Sequence, residues 1–196
     1  MPRSFRVPSA VAIILAGVLV ATTRAGVISN TDAELQYQLA TLLFDETRYW
    51  EALTAFERAA DAPDAGLALR ALKGKVRTQL RLAEFVPARA DAERLKAVSP
   101  RDPEVLSLYA DSLWASGLFD EAEAVYRDVL TLTPESARGR FGLARSEATH
   151  NRLDRALTEA LAASAAAPRD GEIHALIGEI YERKHQFGEA AVAFGN

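Results

Sequence analysis

Three histidines, His150, His174 and His185, are the side chains here whose ordinary titration falls near neutrality. None lies in a histidine–glutamate run of the kind that holds zinc on one helix face, and all three read as surface or turn residues. The chain has no cysteine, which removes thiol catalysis and thiolate metal sites. Carboxylate pairs such as Asp45–Glu46 and Asp120–Glu121 fall at turns and helix starts, where negative charge suits the helix N-terminus. No glycine-rich phosphate loop, nucleophile elbow or base–nucleophile pairing is present, and the strands such motifs require do not occur in the pattern. The expectation is a binding protein, not an enzyme, with no catalytic residue, no metal site and no cofactor.

The chemistry that remains is recognition by arginine and aromatic rings, and it needs elements to position it. The first 25 residues are not among those elements. Arg3 and Arg6 are followed by an apolar run of 11 residues, Val11 to Ala21, and then by Thr22, Thr23, Arg24 and Ala25. Basic, apolar, then small is the order of a secretory signal. Even counted from Val7 the run reaches 15 residues before Thr22, short of the roughly 20 that a bilayer span needs. Cleavage after Ala25 gives an exported chain with a short leader, 26–32. The GC-rich flavour of the composition suggests a bacterial periplasm. The alternative is an uncleaved anchor. Residues 1–25 carry three arginines and no acid, so their loss takes the formal charge from −4 to −7. An acidic exported protein is a poor nucleic-acid binder. Without cysteine an oxidising compartment is allowed, but no disulfide framework exists.

From residue 33 on, the chain repeats. Pro100, Pro134 and Pro168 are 34 residues apart, and so are Ala88, Ala122, Ala156 and Ala190. Ala52 precedes Ala88 by 36, which places a two-residue insertion near Asp61–Gly66. Three residues before each alanine stand Tyr49, Phe85, Phe119, Leu153 and Phe187; four after stand Phe56, Ala92, Tyr126, Ala160 and Phe194. Twelve before stand Ala40, Val76, Ala110, Ala144 and Gly178. Offsets of three, four and seven describe one face of a helix. Small residues recur where two helices come close, and the aromatic or leucine column fills the space beside them. Gly117 and Asn151 mark turns that favour a left-handed residue. Thr31 with Glu34 reads as a capping box, and Asp102 before Pro103 as an N-cap followed by proline at the first helical position. In the second unit Lys75 and Gln79 occupy places that are apolar elsewhere.

These columns resemble the tetratricopeptide repeat (TPR) family, a 34-residue helix–turn–helix unit, over roughly residues 33–196. The clearest unit is Pro103–Ser136, with Gly117, Phe119, Ala122, Tyr126 and Pro134 in place. The family's tryptophan position is not kept and holds Gln36, Leu72, Leu106, Arg140 and His174. The resemblance implies an all-α, right-handed superhelical solenoid of about five hairpins, near 33–66, 69–102, 103–136, 137–170 and 171–196, the last incomplete. It implies a concave groove lined by the first helix of each pair, which holds a peptide or a partner's helix. Read by register, the groove offers Tyr37, Phe44, Arg70, Lys73, Arg77, Trp114, Phe141 and Arg145. Arginine forks suit carboxylates and rings make anchors, so the expected partner is a protein or peptide with acidic and apolar segments. The carboxylate-clamping subclass of the family is not supported, since Tyr37 and Thr41 stand at its lysine and asparagine positions.

The fifth unit reaches only Asn196, leaving Val192 and Phe194 facing solvent. Two further expectations follow: self-association through that end, or a longer exported polypeptide, such as a hydrolase, that this array recruits for.

Overall fold

The structure, a computed structural model, describes residues 28–195. The segment read as an export signal lies outside the described residues. Within them are ten helices and no strand, arranged as five antiparallel pairs: α1 (Asn30–Asp45) with α2 (Tyr49–Ala60), α3 (Ala65–Arg81) with α4 (Phe85–Val98), α5 (Pro103–Ala115) with α6 (Phe119–Leu132), α7 (Ala137–Thr149) with α8 (Leu153–Ala166), and α9 (Gly171–Arg183) with α10 (Phe187–Phe194).

Each first helix starts on a side-chain cap: Ser29, Asp64, Asp102, Ser136 or Asp170 accepts a bond from a backbone N–H of the first turn. Asp102 with Pro103 behaves as the sequence indicated. The box expected at Thr31 and Glu34 does not form. Ser29 accepts from the Asp32 amide at 3.1 Å and donates to its carboxylate at 2.7 Å. The helix therefore begins at Asn30, inside the stretch read as leader, and Thr31 lies within it.

Each second helix has no side-chain cap and is entered through a tight turn. Thr47, Ala83, Gly117, Asn151 and His185 hold equivalent turn positions, all with φ between 58° and 80°. Sequence reasoning found the glycine and the asparagine; the other three carry the same left-handed strain, roughly 1–2 kcal/mol for a residue with a Cβ. What holds them there is a repeated bond from the next amide back to the preceding helix, such as Arg48 to Leu43, Glu84 to Gln79 and Leu118 to Leu113, each at 2.9–3.0 Å.

Ala52, Ala88, Ala122, Ala156 and Ala190 are all buried, at most 2% exposed. Four residues on, large and small side chains alternate, and the facing position of the next helix compensates. Phe56 meets Gly74 and Tyr126 meets Gly142, so closely that an added Cβ would lie 2.3 and 2.1 Å from the rings. Ala92 instead packs in one cluster with Leu108, and Ala160 with Leu176. The volume at each junction is kept while the side supplying it switches. The two-residue insertion appears as one extra turn at the start of α3, set against an α2 two residues shorter than α4, α6 and α8.

Lys75 and Gln79, out of place by pattern, are matched by Asp91 on the paired helix. Gln79 Nε2 donates to its carboxylate at 3.0 Å and Lys75 Nζ lies 3.1 Å away. Successive helices pack along the array; in addition α1–α3, α3–α5, α5–α7 and α7–α9 touch, whereas no pair of second helices does among the described residues. The first helices therefore form the inner, concave row.

Candidate functional site: the concave groove

Five of the eight groove residues read from sequence, Phe44, Arg77, Trp114, Phe141 and Arg145, line one concave cavity of about 980 Å³ that draws on all five units. The other three lie beside it in the inner row. The Arg70 guanidinium sits 4.9 Å over the Tyr37 ring, which itself packs edge-on against Phe56. Lys73 is enclosed between Asp102 (2.6 Å) and Glu104 (2.7 Å). Burial opposes its charge, but these two carboxylates outweigh it and the Lys73 pKa is raised. Asp102, pushed up by burial, is held below its usual range by Lys73 and by the two amides it caps.

The centre of the groove is a polar cluster that sequence reasoning did not assemble. Asp111, buried on α5, accepts from the Tyr126 hydroxyl at 2.5 Å, from Arg138 Nε and Nη2 at 2.9 and 2.7 Å, and from Arg145 at 3.2 Å. Arg145 also stacks 3.8 Å from the Trp114 centroid and 5.3 Å from that of Phe141, a cation–π sandwich. Burial, and then Asp111, raise the Tyr126 hydroxyl well above its ordinary pKa. Burial works against the Arg138 charge, yet Asp111 more than offsets it and the pKa is raised.

A signal for this cluster does exist in the sequence. Down the inner row, one register column reads Glu34, Arg70, Glu104, Arg138, Glu172, and another reads Arg77, Asp111, Arg145, Glu179. The sign alternates from unit to unit, so stacking places opposite charges together. Arg70 bonds Glu34 at 3.1 Å, Arg77 bonds Glu104, and Arg138 approaches Glu172 at 3.6 Å. The arginines of these two columns thus arrive already paired, whereas Arg183, farther along the cavity wall, bonds the Asn151 side-chain oxygen at 3.0 Å. One further pair is of another kind: Arg81, at the end of α3, meets Glu172, at the start of α9, at 2.6 Å across the groove.

On one flank, Asp120, Glu123 and His150 converge. His150 Nε2 is 3.1 Å from Asp120, and Nδ1 is 2.9 Å from the Ser146 carbonyl. Arg152 reaches into the same cluster, bonding both Glu123 and Glu147. A cation there would compete with that guanidinium. Asp120 and His150 are 30 residues apart, which is why spacing along one helix does not reveal them.

Ten helices paired through small-residue contacts around a shared concave face define a helical-repeat solenoid. A family model, Tetratricopeptide repeat, matches residues 75–137, 107–170 and 141–196, and the chain belongs to the tetratricopeptide repeat family. Its fold is that of a protein–protein interaction scaffold. It is similar to a thermophilic TPR protein of Thermus thermophilus, with 24% identity and a TM-score of 0.76 over 83% of this chain and 88% of that one. It is also similar to MamA of Desulfovibrio magneticus RS-1, with 17% identity and a TM-score of 0.59 over 84% and 92%, and to MamA of strain AMB-1, with 20% identity and a TM-score of 0.57 over 82% and 94%. A comparison with curated proteins gives no match. No helix among the described residues is long and apolar enough to cross a membrane.

Proposed function

We propose that this chain is an exported scaffold that holds an extended segment or helix of a protein partner in its concave groove, acting by binding and not by turnover. The observation that carries this reading is the convergence of Phe44, Arg77, Trp114, Phe141 and Arg145, from four different units, on one cavity. Such a surface supplies rigid aromatic anchors and bidentate donors, the residue types that dominate binding energy. Its partner carries apolar side chains with carboxylates among them. The cleanest probe is charge reversal at Arg70 and Arg77, whose side chains are about half exposed. The Arg70→Glu, Arg77→Glu variant should capture less partner from envelope extract while keeping its melting temperature within a few degrees. Equal capture would dismiss the groove. Arg145 is unsuitable for this test, since reversing it sets a second negative charge against the buried Asp111, whereas the partners of Arg70 and Arg77, Glu34 and Glu104, are open to solvent.

Export is supported by the order of residues 1–25. Protein isolated from its host should begin at Gly26; an intact N-terminus in the membrane fraction would mean an anchor. The intact mass of that isolated protein decides whether the native polypeptide extends past Asn196 into a domain that the array serves.

Self-association is a second reading with its own observation. Phe194 is 50% exposed, while Phe56, Ala92, Tyr126 and Ala160 in the same column are at most 4% exposed. At the other end Leu42 is 56% exposed, while Thr78, Ser112, Ser146 and Ile180 are buried. Apolar side chains exposed on the first and last pairs of the described array suit head-to-tail contact. A sedimentation mass that stays monomeric up to high concentration would remove it.

A further inference from the structure

Arg81 stands apart from the arginines of the alternating columns, and also from Arg183 in the same wall, which bonds the neutral Asn151 side chain. Arg70, Arg77, Arg138 and Arg145 each bond a carboxylate of an adjoining unit. Arg81 lies outside both alternating columns, and the one salt bridge it makes among the described residues is to Glu172, three units away. Helices α3 and α9 do not pack on each other, so this contact is made by two side chains reaching across open space. Both are about half exposed, 50% and 42%. An ion pair of this exposure contributes at most about 1 kcal/mol and is readily exchanged. Glu172 is nonetheless held anionic: burial pushes its carboxyl up, but Arg81, and behind it Arg138 and Arg145, bring it below its usual range.

The wall of the cavity has donors to spare. Five arginines and four carboxylates line it, and Trp114 Nε1 and Arg145 Nε are enclosed without an acceptor. Large apolar side chains, Phe44, Trp114, Phe141 and Leu176, stand in the same wall.

We propose that Arg81 is the anion-binding contact of the groove, that Glu172 occupies it in the free protein, and that the ligand is a peptide segment whose carboxylate, flanked by bulky apolar residues, displaces Glu172. This rests on the groove reading above and narrows it to one exchange. Glu172 then acts as an internal competitor. It favours an acidic segment over a neutral one by the small worth of the pair, because a neutral segment that displaces Glu172 returns no carboxylate to Arg81. Recognition is correspondingly weakened by salt.

The experiment uses the purified natural chain and two synthetic probes: a fluorescein-labelled peptide alternating leucine, glutamate and phenylalanine, and its counterpart with every glutamate replaced by glutamine. Binding is followed by fluorescence anisotropy. The acidic probe should bind wild type more tightly than the glutamine probe. Glu172→Gln should tighten the acidic probe by up to about fivefold, the worth of one exposed pair. Arg81→Gln should weaken it by about twofold or more, the worth of a charged hydrogen bond less that of the exposed pair it also removes. The melting temperature of both variants should stay near wild type. An acidic-probe affinity indifferent to Glu172→Gln overturns the proposal, and so does equal binding of the two probes. If neither probe binds, the carboxylate site is overturned, while the groove itself is still judged by capture with the Arg70→Glu, Arg77→Glu variant.

Discussion

On α3, Arg70, Lys73 and Arg77 reach carboxylates near the starts of neighbouring first helices, and Arg70 and Arg77 remain about half exposed. On α7, Arg138 and Arg145 converge on Asp111, whose side chain is 4% exposed and also holds the Tyr126 hydroxyl. Basic residues two units apart in the same groove therefore meet partners in different dielectric surroundings. The ladder formed by the half-exposed pairs of Arg70 and Arg77 is screened and exchangeable. Charge in the central cluster is tied to a buried partner, and its removal leaves that partner exposed to the cost of an unpaired ion. The second unit is where a ligand can trade contacts; the third and fourth keep the groove in shape.

The contrast breaks most sharply at Asp111. Asp111→Ala should lower stability by about 2–4 kcal/mol, toward the low side of the range for disrupting a buried pair because Arg138 is partly exposed; thermal melts followed by circular dichroism read this. Tyr126→Phe removes only the hydroxyl and leaves both arginines on Asp111, so the loss should be about 1–2 kcal/mol. Arg77→Ala in the ladder should cost less than about 1 kcal/mol and should shrink further in high salt, whereas the Asp111 effect should be nearly salt-independent. If Arg77→Ala cost as much as Asp111→Ala, the division between ladder and cluster would be wrong.

Acid sharpens the same distinction more gently. The folded-state values of Asp102 and Glu172 are lowered, so their contribution is present above the ordinary carboxylate range, near pH 4. It is lost as pH falls through their lowered folded values. Melting temperature should therefore drop between pH 5 and pH 3, and Asp102→Asn, which keeps a cap but not the pair with Lys73, should flatten that drop slightly. A drop unchanged in Asp102→Asn would place the acid sensitivity elsewhere.

Much of this architecture is legible in the residue pattern itself. Five alanines in register specify close helix contacts whatever the surface carries, because only a small side chain fits there; all five are buried as expected. Gly117 and Asn151 announce turns by their conformational freedom. Thr47, Ala83 and His185 do not, since their left-handed conformation is imposed by the helices on either side. The cap at Ser29 escapes a local reading because Thr31 and Glu34 offer the same box two residues later, and nothing local ranks the two. Groove positions follow from register. Their pairing does not, because Asp111, Tyr126, Arg138 and Arg145 are each unremarkable alone. The sign alternation of Glu34, Arg70, Glu104, Arg138 and Glu172 is present in the sequence, but it acquires meaning only once stacking sets these residues side by side. The contact of Arg81 with Glu172 is a matter of curvature, which no periodicity encodes.

A partner held on the concave face, as proposed, can be traced by crosslinking. A photo-crosslinking amino acid placed singly at Phe44 or Trp114 in the groove, and at Arg94 or Asp128 on exposed second-helix positions, would be activated in the host, with adducts identified by mass spectrometry. A shared partner should be trapped from Phe44 and Trp114 and not from Arg94 or Asp128. The same partner trapped only from Arg94 and Asp128 would place the binding face on the second helices and rule out the groove.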